Sequence, residues 1–323
     1  MEEKKKITLY ILQLLKEYSD ENHPLSTNTI IELMQTKYNM SIERRTVYRT
    51  VDTLNELGYT IRTWKETGSG YYLTNREFDE GEVILLCNAI HSSNFLSDKQ
   101  SSELVNKILK TQSRYQSKLY VDSVYRHNIK KTSGDSLIKA LKVISYAISE
   151  NKCISFSYTH YNSKKQKVST DTSTRILEPR YIVYNEEKPY LVATIPNTVN
   201  IRHYRIDRMD KVKIYNQKMS SLSNKKDAYE YAKNKYFMFS DEEIPVKFHC
   251  SKNSLDIVID FFGTNIMLIE DEEKNGYYFT VTGSKKGLRL FAQRNIDCID
   301  IVSPESLKEE MRTILETALQ KYK

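Results

Sequence analysis

The fold of this chain is constrained most strongly by short alternating apolar runs within residues 176–214. Apolar and aromatic residues fill 180–184 and 189–195, and four polar residues at 185–188 separate them. This spacing is typical of two antiparallel strands joined by a tight turn. Together with an alternating run at 153–158, the pattern predicts about five short strands in one segment, the size of a small β-barrel.

The second half of this segment carries much positive charge for a strand. Residues 151–218 contain 13 basic and 6 acidic residues, and three arginines fall within 202–208. Strand side chains point alternately to opposite faces of a sheet. The alternation predicts one face with Arg202, Tyr204, Ile206 and Arg208, and another with His203, Arg205 and Asp207. Cationic charge on a half-buried strand predicts an anion bound on one side of the sheet.

Residues 1–75 show the periodicity of three helices followed by two short strands. Apolar residues recur at helical spacing up to Tyr18, and a second helix is predicted after Ser26, whose hydroxyl suits an N-cap. Beyond the third helix, residues 59–64 and 71–73 flank a glycine-containing loop and are predicted to form a β-hairpin. This order predicts a winged helix-turn-helix, whose third helix enters the DNA major groove.

The third helix carries the candidate DNA contacts. It is predicted to begin at a cap on Ser41 and to end at Gly58. Its predicted inward stripe contains Val47, Val51, Leu54 and Leu57. Arginine can bind guanine through two hydrogen bonds, and hydroxyl groups can donate to phosphates. The residues predicted to contact DNA, on this helix and in the wing loop, are Arg44, Arg45, Thr46, Tyr48, Arg49 and Lys65.

The charge of this segment does not by itself indicate DNA binding. Residues 1–75 contain 10 basic and 10 acidic residues, so a small helical domain with solvated arginines is the alternative. The agreement of helix order, caps and hairpin favours DNA binding. Affinity for DNA rises with the number of neutralised phosphates. Because residues 1–75, called here the reader, carry no net charge, they are expected to bind DNA as two copies, in a homodimer.

A helical connector is predicted between the reader and the strand-rich segment. Helical periodicity occupies 82–90 and 101–119, and a polar break at 132–135 precedes a further helix at 137–148. Packed helices can transmit a shift of angle from one domain to another. An inert spacer and a dimer surface are equally consistent with the pattern.

The C-terminal third alternates between helical and strand patterns. A short helix is predicted at 227–234. The elements after it follow in the order strand 244–249, helix 254–262, strands 266–270 and 277–282, helix 286–294, strand 298–302 and helix 304–322. The order βαββαβ with an added helix is that of a ferredoxin-like domain.

Signals for membrane insertion, secretion and metal binding are missing from the sequence. No apolar run approaches the roughly 18 residues of a membrane span, and the N-terminus lacks the apolar core of a signal peptide, so a cytoplasmic protein is expected. The cysteines lie far apart without a metal-binding spacing, so reduced thiols and no metal are expected at Cys87, Cys153, Cys250 and Cys298.

Enzyme signatures are also missing. The sequence has no glycine-rich nucleotide loop, HExxH sequence or nucleophile elbow, so neither an enzyme nor a bound cofactor is expected. An RNA-binding protein is the main alternative to a DNA reader, because a small barrel and a ferredoxin-like domain can both bind RNA. The aromatic pattern of RNA-recognition motifs is absent from the sequence.

Motifs in two parts of the chain resemble those of the WYL-domain transcriptional regulators. In the N-terminal part the similarity rests on Arg45-Thr46-Val47, Arg49, Leu54, Leu57-Gly58 and Gly70-Tyr71-Tyr72-Leu73. A closer match to the family's Arg-x-Phe-Arg-Leu-Asp-Arg-Ile strand is Arg202-His203-Tyr204-Arg205-Ile206-Asp207-Arg208-Met209, with Glu178-Pro179 ahead of it. The family's Trp-Tyr-Leu motif reads Pro189-Tyr190-Leu191 here, and proline is tolerated at the start of a strand.

The resemblance implies an α+β multidomain protein and its partners. The implied domains are a winged helix-turn-helix at 1–75, a helical linker at 76–135, a WYL domain of one helix and an Sm-like β-barrel at 136–218, and a ferredoxin-like, WCX-type dimerisation domain at 219–323. The family would bind a double-stranded DNA operator and sense a nucleotide or a single-stranded nucleic acid. The residues implied to bind this effector are Tyr158, Tyr190, Arg202, His203, Arg205 and Arg208.

Overall fold

The computed structural model describes residues 2–123, 135–169, 174–220, 234–239 and 241–323. It divides the chain into two compact units, Met1–Asp135 and Ser136–Lys323, called here the first and the second unit. The first unit is built mainly from helices, and the second contains two antiparallel sheets together with helices. The expectation of a mixed α and β chain with several parts is confirmed.

Three helices pack together at the start of the first unit: α1 (Glu2–Tyr18), α2 (Thr27–Tyr38) and α3 (Arg44–Glu56). Their inward residues recur at helical spacing, and the fully buried ones include Ile11, Leu14, Leu15, Ile30, Met34 and Val47. The predicted cap of α2 is confirmed, because the Ser26 hydroxyl accepts a hydrogen bond from the Thr29 N–H at 3.1 Å.

Both ends of α3 differ from the sequence prediction. Ser41 is not its cap, since the chain stays extended through Glu43, the residue before the helix, with Ile42 buried in the core. Leu57 does not belong to the inward stripe and is 68% exposed. The helix has ended before Leu57, and Gly58, at φ +93°, turns the chain away.

The predicted hairpin after α3 is present, and its loop contains a turn of helix. β1 (Ile61–Arg62) pairs antiparallel with β2 (Tyr72–Leu73). The predicted strand does not extend to Trp64, which begins a one-turn helix, α4 (Trp64–Thr67). This helix is stabilised at its start, because the Glu66 carboxylate accepts hydrogen bonds from the Thr63 N–H at 2.8 Å and from the Thr63 hydroxyl at 3.2 Å.

Gly70 allows this hairpin to approach the connection between α1 and α2. A Cβ atom at Gly70 would lie 2.5 Å from the Leu25 carbonyl oxygen, so a larger residue would push the two segments apart. The close approach lets Leu25 and Tyr71 exchange two backbone hydrogen bonds of 2.8 Å. The position of the loop that carries α4 is therefore fixed relative to the helices.

Three helices follow the hairpin: α5 (Glu80–Ser92), α6 (Asp98–Leu109) and α7 (Arg114–Ser123). The prediction of one helix over 101–119 is wrong, because the chain leaves the helix after Leu109. Ser113 ends the break: its hydroxyl donates to Asp20 and accepts from the Gln116 N–H at 3.1 Å. A tertiary contact with the end of α1 therefore divides the predicted helix.

Arg76 attaches these connector helices to α1. Its guanidinium donates hydrogen bonds to three backbone carbonyls, those of Lys16, Ser19 and Thr111. Burial lowers the pKa of Arg76 from its usual value. The arginine occupies carbonyls that the end of a helix leaves without an internal partner.

The second unit begins with α8 (Asp135–Ser149) and a curled antiparallel sheet. The strands of this sheet are β3 (Lys152–Tyr161), β4 (Lys167–Ser169), β5 (Arg175–Asn185), β6 (Lys188–Thr194), β7 (Ile201–Arg205) and β8 (Met209–Lys218). Their order is β4-β3-β5-β6-β7, and β8 also pairs with β3. Side chains from several strands are fully buried, among them Ile154, Phe156 and Leu191.

The predicted turn between β5 and β6 is confirmed. Asn185 pairs with Lys188, which leaves a two-residue turn. Glu186 and Glu187 both have positive φ values, 45° and 60°. Such a turn has the twist that joins adjacent antiparallel strands.

The predicted alternation of faces fails after Arg205. The strand ends there, and Ile206–Arg208 form a single turn of 3₁₀ helix. Ile206 is fully buried and holds this turn in the core. Asp207 lies in this turn and accepts hydrogen bonds from the Arg205 side chain.

The C-terminal part of the second unit has the predicted order of elements from the first strand onwards. These are β9 (Glu243–Ser251), α9 (Leu255–Phe262), β10 (Leu268–Asp271), β11 (Gly276–Ser284), α10 (Lys285–Arg294), β12 (Ile299–Ser303) and α11 (Glu305–Gln320). The strands are antiparallel in the order β10-β11-β9-β12, around a core that includes Phe248, Phe279 and Phe291. The helix predicted at 227–234 lies outside the described residues except for Asn234.

In the part of the chain that the structure describes, no helix has the length and apolar character needed to cross a membrane. The four cysteines are free thiols, and all but Cys298 are buried. Burial raises the pKa of the Cys87, Cys153 and Cys250 thiols. They act as small apolar core residues.

Candidate nucleic-acid interface and effector site

The residues predicted to contact DNA lie on the outer side of α3 and on α4. Arg44, Arg45, Tyr48 and Arg49 are exposed, Thr46 is half-buried, and Lys65 is exposed on α4. The buried residues of α3 are Val47, Thr50, Val51 and Leu54, so the helix has one packed and one solvated side. The structure therefore places the predicted residues together on one surface of the first unit.

The arginines of α3 differ in their partners. Arg44 donates a hydrogen bond to the Asn28 side-chain oxygen at 3.0 Å. Among the described residues, no carboxylate forms an ion pair with Arg45 or Arg49. Their charge is available to a phosphate or to the acceptor edge of a base.

An open groove of about 880 Å³ runs between α3 and the α4 loop. Its lining residues come from α2, α3, α4 and the residue before β2, and they include Thr27, Asn28, Arg44, Tyr48, Asp52, Trp64, Lys65 and Tyr71. Sequence reasoning did not identify Trp64 or Asp52 as site residues, because Trp64 was placed at the end of a strand. The groove adjoins the predicted DNA contacts and includes Arg44, Tyr48 and Lys65 among them.

In the curled sheet, the structure brings together three of the predicted effector residues. The Arg205 backbone N–H donates to the Tyr158 hydroxyl at 3.2 Å. Tyr190 stands directly opposite Arg205 in the pairing of β6 with β7. Burial raises the pKa of Tyr190, which keeps its phenol neutral and able to donate a hydrogen bond. Two aromatic rings and a guanidinium thus occupy one region of the sheet.

Arg205 is already paired with an internal anion. Its Nε donates to one Asp207 oxygen at 3.1 Å, and a terminal nitrogen donates to the other at 2.7 Å. The side chains are only 24% and 12% exposed. Burial disfavours the charged guanidinium, but the bonds to Asp207 outweigh this effect and raise the pKa of Arg205. An anionic ligand must therefore share Arg205 with Asp207 or displace it.

The other three predicted effector residues have different surroundings. His203 donates from Nδ1 to the Met238 carbonyl at 2.9 Å, so it links β7 to the segment after the curled sheet. Burial lowers the pKa of His203, and the nearby Lys235 adds to this effect. Arg202 is exposed opposite Ala193, and Arg208 lies in the 3₁₀ turn.

Arg175 belongs to the cluster and was missed by sequence reasoning. It donates to the Tyr204 hydroxyl at 3.0 Å, and its guanidinium lies over the rings of Tyr158 and Tyr204, at 5.6 and 5.2 Å from their centres. Arg175 thus covers part of the aromatic surface that would stack with a base. Nothing in its local sequence indicates this position, because it depends on the pairing of β5 with β3.

Glu178 and Pro189 occupy two positions of the family motifs, and both are buried in the curled sheet. Glu178 is fully buried and accepts hydrogen bonds from Arg180, Thr194 and Ser220. Burial opposes its ionised form, but these bonds prevail and lower its pKa. Pro189 is buried and pairs with Tyr184 at the start of β6, where a missing N–H donor is tolerated.

The WYL domain family matches residues 139–214 of this chain. Among solved structures, Proteasome accessory factor B/C (PafBC) of Arthrobacter aurescens is similar, with 16% identity, a TM-score of 0.29, and coverage of 98% of this chain and 49% of that one. This chain thus spans about half the length of that protein. A CRISPR Cas-related protein is similar with 15% identity, a TM-score of 0.37, and coverage of 95% and 97% of the two chains. No curated protein sequence matches this one.

Proposed function

We propose that this protein, whose residues 139–214 belong to the WYL domain family, is an effector-responsive, DNA-binding transcriptional regulator. The observation that carries the proposal is the exposed arginine row of α3, beside a short hairpin, in a compact unit of its own. The role is one of binding, without a catalytic step.

In this proposal the first unit is a winged helix-turn-helix. The third helix enters the major groove, and the arginines of its first two turns meet base edges and phosphates. Support comes from the exposure of Arg45 and Arg49 and from their lack of a carboxylate partner among the described residues. Two copies of the reader bind an inverted repeat, because a single copy carries little net charge.

The curled sheet is the sensor, an Sm-like barrel that binds a nucleotide or a single-stranded nucleic acid. Tyr190 offers a ring face to a base, and Arg205 offers a planar donor pair to a phosphate. The Arg205–Asp207 ion pair supports a switching role, because the ligand exchanges with an internal group rather than entering an empty site. Arg205 lies on β7, and the hydrogen bond from His203 to the Met238 carbonyl connects this strand to the segment after the curled sheet.

The C-terminal sheet is a ferredoxin-like module that forms the dimer. The strand order β10-β11-β9-β12, with helices after the first and third strands of this sheet in chain order, supports the ferredoxin-like assignment. Two-fold symmetry of the protein would match the symmetry of an inverted repeat. Light scattering of the full chain tests this part, and a monomer at binding concentrations would contradict it.

The DNA-binding proposal is tested by selecting duplexes from a random pool and measuring their affinity. Arg45→Ala with Arg49→Ala is expected to weaken binding of the selected duplex at least about thirtyfold, since each lost arginine–base contact is worth about 1–3 kcal/mol. The matched control is Lys308→Ala with Arg312→Ala, which removes two exposed cations from α11.

Three outcomes of this selection count against the proposal. Equal affinity of the reader double variant and the wild type would remove α3 as the recognition helix. An equal loss in the α11 control would show that only total charge matters. A preference for single-stranded RNA over every duplex would favour the RNA-binding alternative.

A further inference from the structure

The exposed side of α3 is divided into two faces. Arg44, Tyr48 and Asp52 are four residues apart, so they follow one side of the helix, and all three line the groove next to α4. Arg45 and Arg49 are each one position further along, and they point about 100° away from Arg44 and Tyr48 respectively. One helix therefore presents an arginine face and, beside it, a groove of different chemistry.

The groove combines two cationic side chains with aromatic walls. Arg44 and Lys65 supply positive charge from α3 and α4, and Asn28 and Thr27 add polar side chains from α2. Trp64 is 56% exposed and Tyr48 is 44% exposed. A duplex offers the complementary combination along its backbone, where each anionic phosphate is followed by an apolar deoxyribose face.

Asp52 limits where a phosphate can lie in the groove. It is exposed, and it stands eight residues from Arg44, which is about 12 Å along a helix. Its carboxylate repels phosphate at that end, while Arg44 attracts phosphate at the other. The groove is therefore polar along its length, which gives a bound strand a defined position.

We infer that this groove binds one sugar–phosphate strand of the DNA duplex, with Trp64 packed against a deoxyribose and with Arg44 and Lys65 on the flanking phosphates. The inference rests on the proposed DNA-binding function and assigns two parts of it to different residues. The groove positions the strand without regard to sequence, whereas Arg45 and Arg49 read the bases.

The short helix α4 is suited to this role. Its first turn is stabilised by Glu66, which accepts hydrogen bonds from Thr63 and also pairs with Arg62. Gly70 fixes the end of the loop against Leu25. The backbone that carries the indole is thus held by local hydrogen bonds and packing, which reduces the conformational freedom that is lost when DNA binds.

Trp64 is the single tryptophan of the chain, so its fluorescence reports on this groove alone. The full-length protein is titrated at low salt with two unlabelled duplexes, one rich in A·T and one rich in G·C, and binding is followed independently by the anisotropy of labelled copies. Indole emission is expected to change on binding of both. Trp64→Ala is expected to lower the affinity for both duplexes about tenfold, and Trp64→Phe is expected to keep most of the wild-type affinity.

The control variant is Leu9→Ala, which removes an exposed apolar side chain from α1 and should leave both affinities unchanged. Duplex binding with unchanged indole emission and unchanged affinity of Trp64→Ala would overturn the inference and leave the proposed function intact. A loss confined to one duplex would show that Trp64 reads bases and would also overturn it. No anisotropy change with any duplex would overturn both.

Discussion

The arginines of α3 and those of the curled sheet carry the same charge in opposite situations. Arg45 and Arg49 are exposed and have no ion-pair partner among the described residues. Arg180 and Arg205 are mostly buried, and each is paired with a carboxylate two residues away. The arginines of α3 can therefore bind an external anion directly, whereas Arg180 and Arg205 are already paired with a carboxylate of the protein.

The difference has a consequence for binding. An open cation accepts a phosphate without rearrangement, so its affinity follows the number of contacts and the salt concentration. A paired cation must release or share its carboxylate, so binding is coupled to a local change in the protein. A reader benefits from the first property and a sensor from the second. Two experiments test whether the internal pairs behave in this way, and a third tests the buried His203.

The largest effect is expected from removing the buried carboxylate of Glu178. Glu178→Ala leaves Arg180 buried without its partner, and breaking such a pair costs about 3 kcal/mol. We expect the free energy of unfolding of the second unit to fall by this amount in urea titrations followed by circular dichroism.

A matched control for Glu178 lies on the surface of the same unit. Glu186 pairs with Arg294, and both side chains are partly exposed, at 32% and 53%. Glu186→Ala should therefore cost less than about 1 kcal/mol. Equal losses in the two variants would show that burial does not distinguish the pairs, contrary to the comparison.

The second effect concerns the ion pair at the effector cluster. Arg205→Ala is expected to weaken the binding of a fluorescein-labelled single-stranded oligonucleotide about tenfold, because one charge-assisted contact is lost. Asp207→Asn removes the competing carboxylate charge and should strengthen the binding of the same oligonucleotide by a similar factor. Fluorescence anisotropy of the full chain measures both variants.

These two variants give opposite signs only if Asp207 competes with the ligand. A weaker complex for Asp207→Asn would show that the carboxylate orients Arg205 for binding instead. Arg202→Ala is the control, because Arg202 is exposed and stands apart from Tyr158 and Tyr190. An equal loss in this control would move the site to the outer face of β7.

Local sequence signals were sufficient for much of the fold. The cap at Ser26, the turn at 185–188 and the order of elements after residue 243 are confirmed, because each depends on neighbours close in sequence. The end of α3 was misread at Leu57 for a related reason. Periodicity continues through the sequence, whereas the helix stops one residue earlier.

The internal partners of the candidate site could not be predicted in the same way. Alternation placed Arg205 and Asp207 on one face, but it indicated neither their ion pair nor the 3₁₀ turn that begins at the buried Ile206 and carries Asp207. Arg175 reaches the tyrosines only through the pairing of β5 with β3. Both features depend on where the chain bends in three dimensions, which alternation along a strand does not report.

The smallest effect is expected from pH, through His203. Burial gives the folded state a lower His203 pKa than the unfolded state, so the unfolded chain binds the extra proton first as pH falls below about 6.5. Stability contributed by the neutral ring is therefore present above that pH and is lost as pH falls towards the lowered pKa, by at most about 1.4 kcal/mol per pKa unit. His203→Asn keeps a donor for the Met238 carbonyl without titrating there. Between pH 7.5 and 5.5 the melting temperature of the wild type should fall more than that of His203→Asn, and parallel curves would show that this contact does not titrate with folding.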